Sequence, residues 1–432
     1  MDNTTGSYNV AVGNNALENN TTASENTAIG YRALLTETTG IRNVAVGYQA
    51  LKTQNKTDGS AEYNVGVGYN AGASTTTGVN NTFLGGLTGT TNATGANNTF
   101  VGYSAGNDTN ANNNTAVGSL SLDANTTGTN NTALGLHSLG TNTTGVDSVA
   151  VGANALYVAT TGSYNTAVGK SALQSNTTAS ENTAVGYQSI FTNTTGGNNT
   201  AIGINSLYSN TTGSNNTALG RLALYQNTTA NNNVSIGNSS MQLNTTGTSN
   251  VAVGASAMSA NTSGIYNAAV GYGCLTAHTT GNSNTAIGYY AAQATTTDFG
   301  ITALGRETLY NNTTGGGGSY NVAVGYRSMY TNTTGYYNTA VGMKSLYTNN
   351  GNLNCAFGMR ALEQNTSGGD NVSLGYEALR YNTTGGSNVA VGRQALNQNT
   401  TASNNTAVGR NALYSIAGAG HSNIGIGPYA GS

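Results

Sequence analysis

Charge is scarce in this 432-residue chain: 6% of residues are Asp, Glu, Lys or Arg, proline occurs once (Pro428), and tryptophan is absent. Disordered chains are rich in charge and proline, so a disordered polymer is excluded. The 13 basic and 15 acidic residues leave a net charge of −2 and form no basic cluster. That excludes a nucleic-acid groove and a basic membrane-surface patch. No apolar run approaches the roughly 20 residues of a membrane-spanning helix, so no membrane insertion is expected. A secretory signal is not visible after Met1; the chain opens on Asn3-Thr4-Thr5-Gly6, the tail of a repeat. This suggests a segment of a longer fibre. Only two cysteines occur, Cys274 and Cys355. They lie five repeats apart, roughly 24 Å at about 4.8 Å per coil, beyond the roughly 7 Å that a disulfide spans.

What is present is a 17-residue repeat, N-T-A-V-G-x-x-A-L-x-x-N-T-T-G-x-x, which recurs 25 times from Asn9 to the chain end. Residues 1–432 therefore read as one continuous array with no linker. Insertions fall in Lys52–Tyr63, at Gly315–Gly318 and near Gly418. Position 5 is glycine in every copy, including Gly13, Gly30, Gly47, Gly169, Gly186 and Gly203. Such uniformity marks a structural corner with φ > 0 or a close backbone approach. At position 15, Ala23, Ala179, Ala230 and Ala402 replace glycine, so that corner tolerates a Cβ.

The β-compatible residues before the glycine of position 5 read as a short strand, and a second short strand is expected over positions 7–10. Helices are excluded, because a 17-residue unit with two corners leaves them no useful length. Position 3 becomes Phe83 and Phe100 in the two copies where position 9 is Gly89 and Gly106. Large-for-small exchange is how facing residues conserve core volume, so positions 3 and 9 share the interior. Position 4 is always Val, Ile, Leu or Phe, yet points opposite to position 3 in a strand. Either it forms an outer apolar stripe that needs a partner, or it fills the coil and Ala at position 3 packs outward.

Catalysis needs convergent polar groups. His137, His278 and His421 are scattered over coils 8, 16 and 24, and read as solvent-exposed substitutions. Glu363 and Glu377 sit on neighbouring coils and could form a glycosidase pair, although a solvated surface pair is the simpler expectation. No catalytic residue, metal ligand or cofactor is assigned, and the chain is not expected to be an enzyme. Asn-Thr-Thr at positions 12–14 matches the N-glycosylation sequon, giving candidate glycan acceptors at Asn20, Asn142, Asn176, Asn193, Asn210 and Asn382. Position 17 offers further sequons at Asn80, Asn97, Asn130, Asn198 and Asn215. The competing reading is that Asn and Thr build turns and stack as hydrogen-bonded ladders. The Thr pairs also raise ice binding, against which adjacent side chains should diverge. Tyrosines at positions 6 and 10 could bind sugars, but stacking on neighbouring coils is the simpler role.

The N-T-A-V-G…A-L…N-T-T-G unit resembles the repeat region of bacterial and phage tail-fibre-domain proteins. It is more distantly similar to the S-V-A-I-G repeats in the heads of trimeric autotransporter adhesins, whose unit is shorter. The resemblance implies a parallel, left-handed β-roll, often trimeric, on a cell or virion surface. The reading that results is an all-β parallel β-solenoid of 25 coils, about 17 residues and two short strands each. Its expected role is an extracellular fibre or adhesin stalk giving length, rigidity and surface display. The partner expected is self, as a homo-oligomer, trimer or filament, with cell-surface glycan as a further one. A carbohydrate-acting tailspike and an ice-binding solenoid are the alternatives.

Overall fold

The computed structural model describes residues 3–313, 319–416 and 420–432. The insertions expected at Gly315–Gly318 and near Gly418 lie outside the described residues. The chain forms two compact units, Met1–Asn215 and Asn216–Ser432. Among the described residues the first carries twelve three-residue strands, from Val10–Val12 to Thr200–Ile202, and the second thirteen, from Thr217–Leu219 to Ile424–Ile426. Among the described residues there is no helix. Within each unit the strands run parallel and in register, as in Thr166↔Thr183, Ala167↔Ala184 and Val168↔Val185. Each repeat position therefore becomes a column of like residues, and each unit is a β-solenoid with a roughly 17-residue turn.

Neither an insertion nor a deletion breaks the register. Asn64 N donates to Asn43 Oδ1 across a separation of 21 residues, and Asn114 N to Asn98 Oδ1 across 16. The strands Val44–Val46 and Val65–Val67 still pair residue for residue. Extra length leaves the coil at the corner and the columns continue.

Column 3 fills the interior. Ala28, Ala167 and Ala390 are fully buried, as are Leu34, Leu173 and Leu396 of column 9. The exchange of volume between these columns is real. A Cβ on Gly106 would stand 2.5 Å from Phe100 Cδ2. Of the two coils that have glycine in both columns, the first is filled by its neighbours: a Cβ on Gly66 would meet Leu51 Cγ at 2.8 Å, and one on Gly72 would meet Phe83 Cδ2 at 2.6 Å.

Column 4 points outward, so the version in which it fills the coil is excluded. Val12, Ile29 and Ile202 are 57%, 39% and 45% exposed.

The second strand expected over positions 7–10 is not there. Each coil has one strand, followed by a run of turns. The reason is backbone conformation: Ser171 and Leu173, at positions 7 and 9, have φ of 58° and 50°, and the pattern recurs along the chain. A strand needs φ near −120°. A leucine in the left-handed region costs about 1–2 kcal/mol, which is offset by its full burial and by coil-to-coil hydrogen bonds such as Leu173 N to Ser189 O at 3.0 Å.

Position 5 combines both constraints that glycine relieves. Gly169 has φ +133°, and a Cβ there would stand 2.5 Å from Gly186 O on the next coil. The other corners named from the sequence, Gly13, Gly30, Gly47, Gly186 and Gly203, share the same conformation.

Candidate interaction face

Half of the interior is polar, and that decides the fate of the sequons. Asn20, Asn142, Asn176, Asn193, Asn210 and Asn382 are at most 2% exposed. Their amides point into the coil. Asn193 Nδ2 donates to Asn176 Oδ1 of the preceding coil at 3.0 Å and to Gly196 O at its own corner at 2.9 Å. Asn382 does the same with Asn365 Oδ1 and Gly385 O. A glycan cannot be carried on a nitrogen that is enclosed and has both hydrogens engaged. Asn142 and Asn210 make the same two bonds, Asn176 Nδ2 donates to Ala179 O, and Asn20 is buried in the same column, so the six candidate acceptors are enclosed in the folded chain and the ladder they belong to satisfies buried carbonyls. Column 1 forms a second ladder. Asn43 N donates to Asn26 Oδ1 at 2.8 Å, and Asn26 Nδ2 reaches Gly40 O at 2.9 Å. The sequons of column 17 differ, for Asn80, Asn97, Asn130, Asn198 and Asn215 are exposed. Asn80 and Asn97 are linked there by a 3.1 Å side-chain bond.

The threonine pairs split as divergent neighbours do. Thr143 Oγ1 donates to Thr160 O at 2.9 Å and Thr160 Oγ1 to Thr177 O at 3.0 Å, so column 13 is tied to the backbone while column 14 faces water. The tyrosines stack along the coils: Tyr31, Tyr48 and Tyr69 with centroids 5.2 Å apart, and Tyr310, Tyr330 and Tyr347 at 5.0 and 5.2 Å.

Of the histidines, His278 is not the exposed substitution expected. It replaces Asn in the buried ladder, and its Nε2 lies 2.8 Å from Gly281 O, the bond an Asn makes elsewhere. Burial pushes its imidazole below the usual value, against the opposing pull of that carbonyl. His137 packs edge-on against Tyr157, and His421 is exposed.

Glu363 and Glu377 do approach one another, through Arg380, which lies 2.8 Å from each. Burial raises the Glu377 carboxyl, but the Gln394 hydrogen bond and the Arg380 and Arg360 charges outweigh it and hold the group below the usual range. A general acid needs the opposite shift. Among the described residues no group of three or more His, Cys, Asp or Glu could hold a metal ion, and no helix is long and apolar enough to cross a membrane. Cys274 is buried and Cys355 half-buried, and both are free.

Sequence reasoning missed three fully buried carboxyls: Glu37, Glu62 and Asp298. The signal was available, since Glu37 stands in the Asn column at position 12 and Asp298 in the glycine column at position 15. Glu62 Oε1 accepts Lys56 N at 3.0 Å and Glu37 Oε1 accepts Gly40 N at 2.6 Å, so the pair fastens the inserted segment after Lys52 to the coil.

The feature left without an internal role is the outer face of the sheet. No strand carries a charged residue at any of its three positions. Its outward columns are 2, mostly Thr or Val, and 4, always aliphatic or Phe. Val10, Leu84, Leu134, Ile287, Phe357 and Leu374 are all exposed there. Neither protein-family models nor curated proteins give a match to this chain.

Proposed function

We propose that the chain is a structural element, a stiff spacer of an extracellular fibre or adhesin stalk, and that it self-associates through columns 2 and 4. The observation that carries this reading is the uncharged outer face, mostly β-branched in column 2 and apolar in column 4, repeated in every coil. A monomer rarely leaves so large a contiguous apolar surface in water. A parallel solenoid suits a spacer, because each coil contacts only its neighbours and length is added coil by coil. The cell or virion surface is the location that such a role implies.

Sedimentation equilibrium tests the association. The unmodified chain should have a multimeric mass, and the double variant Ile29→Lys, Ile202→Lys should be monomeric with an unchanged circular dichroism spectrum. A monomeric mass for the unmodified chain at all concentrations sinks the proposal.

A weaker second role, contact with cell-surface glycan, is favoured by one groove of about 420 Å3. It sets the Tyr347 ring beside Thr348, Gln364, Thr366 and Thr383. An aromatic ring beside hydroxyls suits a sugar. Titration with neutral oligosaccharides, with Tyr347→Ala as control, tests it.

A further inference from the structure

The outer face is bounded by two columns of opposite charge. In chain order the outward columns are 17, 2, 4 and 6. Column 6 carries Lys170 in the first unit and Arg221, Arg306, Arg393 and Arg410 in the second, and no acid. Column 17 carries Glu25, Asp147 and Glu181 in the first unit and Asp370 in the second. Its single cation, Arg42, is already paired with Glu25 at 2.8 Å. Lys170, Asp147, Glu181, Arg393 and Asp370 are exposed, and among the described residues none of the five forms a salt bridge within its own chain. The charged residues along one edge of the apolar face are thus all basic, and those along the other, Arg42 aside, all acidic.

Two copies laid face to face can run parallel or antiparallel. In the parallel arrangement, rotation about the solenoid axis brings column 6 of one copy against column 17 of the other. In the antiparallel arrangement, column 6 meets column 6 and column 17 meets column 17. Like charges directly opposed disfavour the second and opposite charges favour the first. The levels along the axis also match. Lys170 belongs to the coil that begins at Asn165. Asp147 and Glu181 flank that coil, one step below and one step above the level of Lys170. Arg393 stands one coil from Asp370 in the second unit. One coil is about 4.8 Å, within reach of a Lys or Arg side chain.

We infer that a second copy of this chain docks on the outer sheet face in parallel orientation, in register to within one coil, with the basic column 6 against the partner's acidic column 17. The apolar columns 2 and 4 then close against the partner's 4 and 2. The strip from column 17 to column 6 offers roughly 90 Å2 per coil, so about nine coils reach the roughly 800 Å2 per partner of a stable interface. Each unit has more coils than that. The pairing is isologous: a two-fold axis parallel to the solenoid axis relates the copies, and the same face is used by both.

This inference rests on the self-association proposed above, and disulfide trapping separates the two. In a Cys274→Ser, Cys355→Thr background, Lys170→Cys and Glu181→Cys chains are made singly and co-expressed, then mildly oxidised. Co-expression should give a mixed disulfide, and either single variant alone none. Independently, Lys170→Glu with Arg393→Glu should weaken association at least tenfold, and adding Asp147→Lys, Glu181→Lys and Asp370→Lys should restore it. An associated chain in which Lys170→Cys alone cross-links is antiparallel and overturns the inference while leaving self-association standing. An associated chain without cross-links and without charge rescue also overturns it. A monomer overturns both.

Discussion

The Phe83 ring occupies the space that a side chain at Gly89 would need: a Cβ built on Gly89 falls against Phe83 Cε1 and Cδ1. The two positions are one packing unit, and a double-mutant cycle should show it. Gly89→Leu alone should overpack the coil and cost about 1–3 kcal/mol. Phe83→Ala alone should cost about 3–5 kcal/mol. The double variant restores the Ala–Leu pair of most coils and should cost much less than the sum. Additive costs in denaturant unfolding would show that columns 3 and 9 do not share volume.

The two glycine corners should respond unequally. Gly169→Ala puts a Cβ into a backbone at φ +133° and against Gly186 O. Strained backbone of that kind costs about 1–3 kcal/mol, before the coils are forced apart. Gly162→Ala at column 15 also brings a Cβ against the next coil, at the Ala179 carbonyl, but it has no positive φ, and Ala179 itself shows that a coil can adjust to a Cβ in this column. Amide exchange should accelerate around residues 169 and 186 in the first variant, and less around residues 162 and 179 in the second, where the carbonyl contact acts without the strain of a positive φ.

Ala159 interrupts the buried Asn ladder between Asn142 and Asn176, and Asn142 Oδ1 is left without a partner. Ala159→Asn should supply a donor to Asn142 Oδ1 and to the corner carbonyl of Gly162. A stabilisation of about 0.5–1.5 kcal/mol is expected in denaturant unfolding. Conversely, Asn193→Ala strands Asn176 Oδ1, removes one acceptor from Asn210 Nδ2 and leaves Gly196 O with the Asn182 amide, and should cost about 1–3 kcal/mol.

Glu37 should make its coil sensitive to alkali. Burial, then the adjacent Glu62 charge, raise its carboxyl from 4.5 to about 8. Below 4.5 both folded and unfolded chains hold the proton. Between 4.5 and 8 the folded chain keeps a proton that the unfolded chain has released, so stability falls as pH rises. The slope is at most about 1.4 kcal/mol per pH unit, and the loss levels off above 8. Gly40 N donates to Glu37 Oε1, so exchange protection of the Gly40 amide, corrected for intrinsic rate, should decline through this window. Glu37→Gln should remove the decline; an unchanged profile in that variant refutes the assignment.

The sequence by itself determined the period, the parallel stacking and the glycine of position 5. These are consequences of strict repetition: identical units in register place each residue on its own copy, and only glycine meets a neighbouring backbone that closely. The pairing of Phe83 with Gly89 and of Phe100 with Gly106 was legible for the same reason, since volume is conserved inside a closed coil. What only the tertiary structure decided was which way the polar residues face. Asn142 and Asn193 look like surface sequons because Asn belongs in turns, yet the corner carbonyls of Gly145 and Gly196 are buried and need donors. Leu173 looks like a strand residue because leucine avoids φ > 0, yet closing a coil after so short a strand requires that curl, and burial makes it affordable. Column 4 could have filled the coil or lined its exterior; the interior is already full of Ala, Leu and Asn, so Val12, Ile29 and their counterparts are left outside.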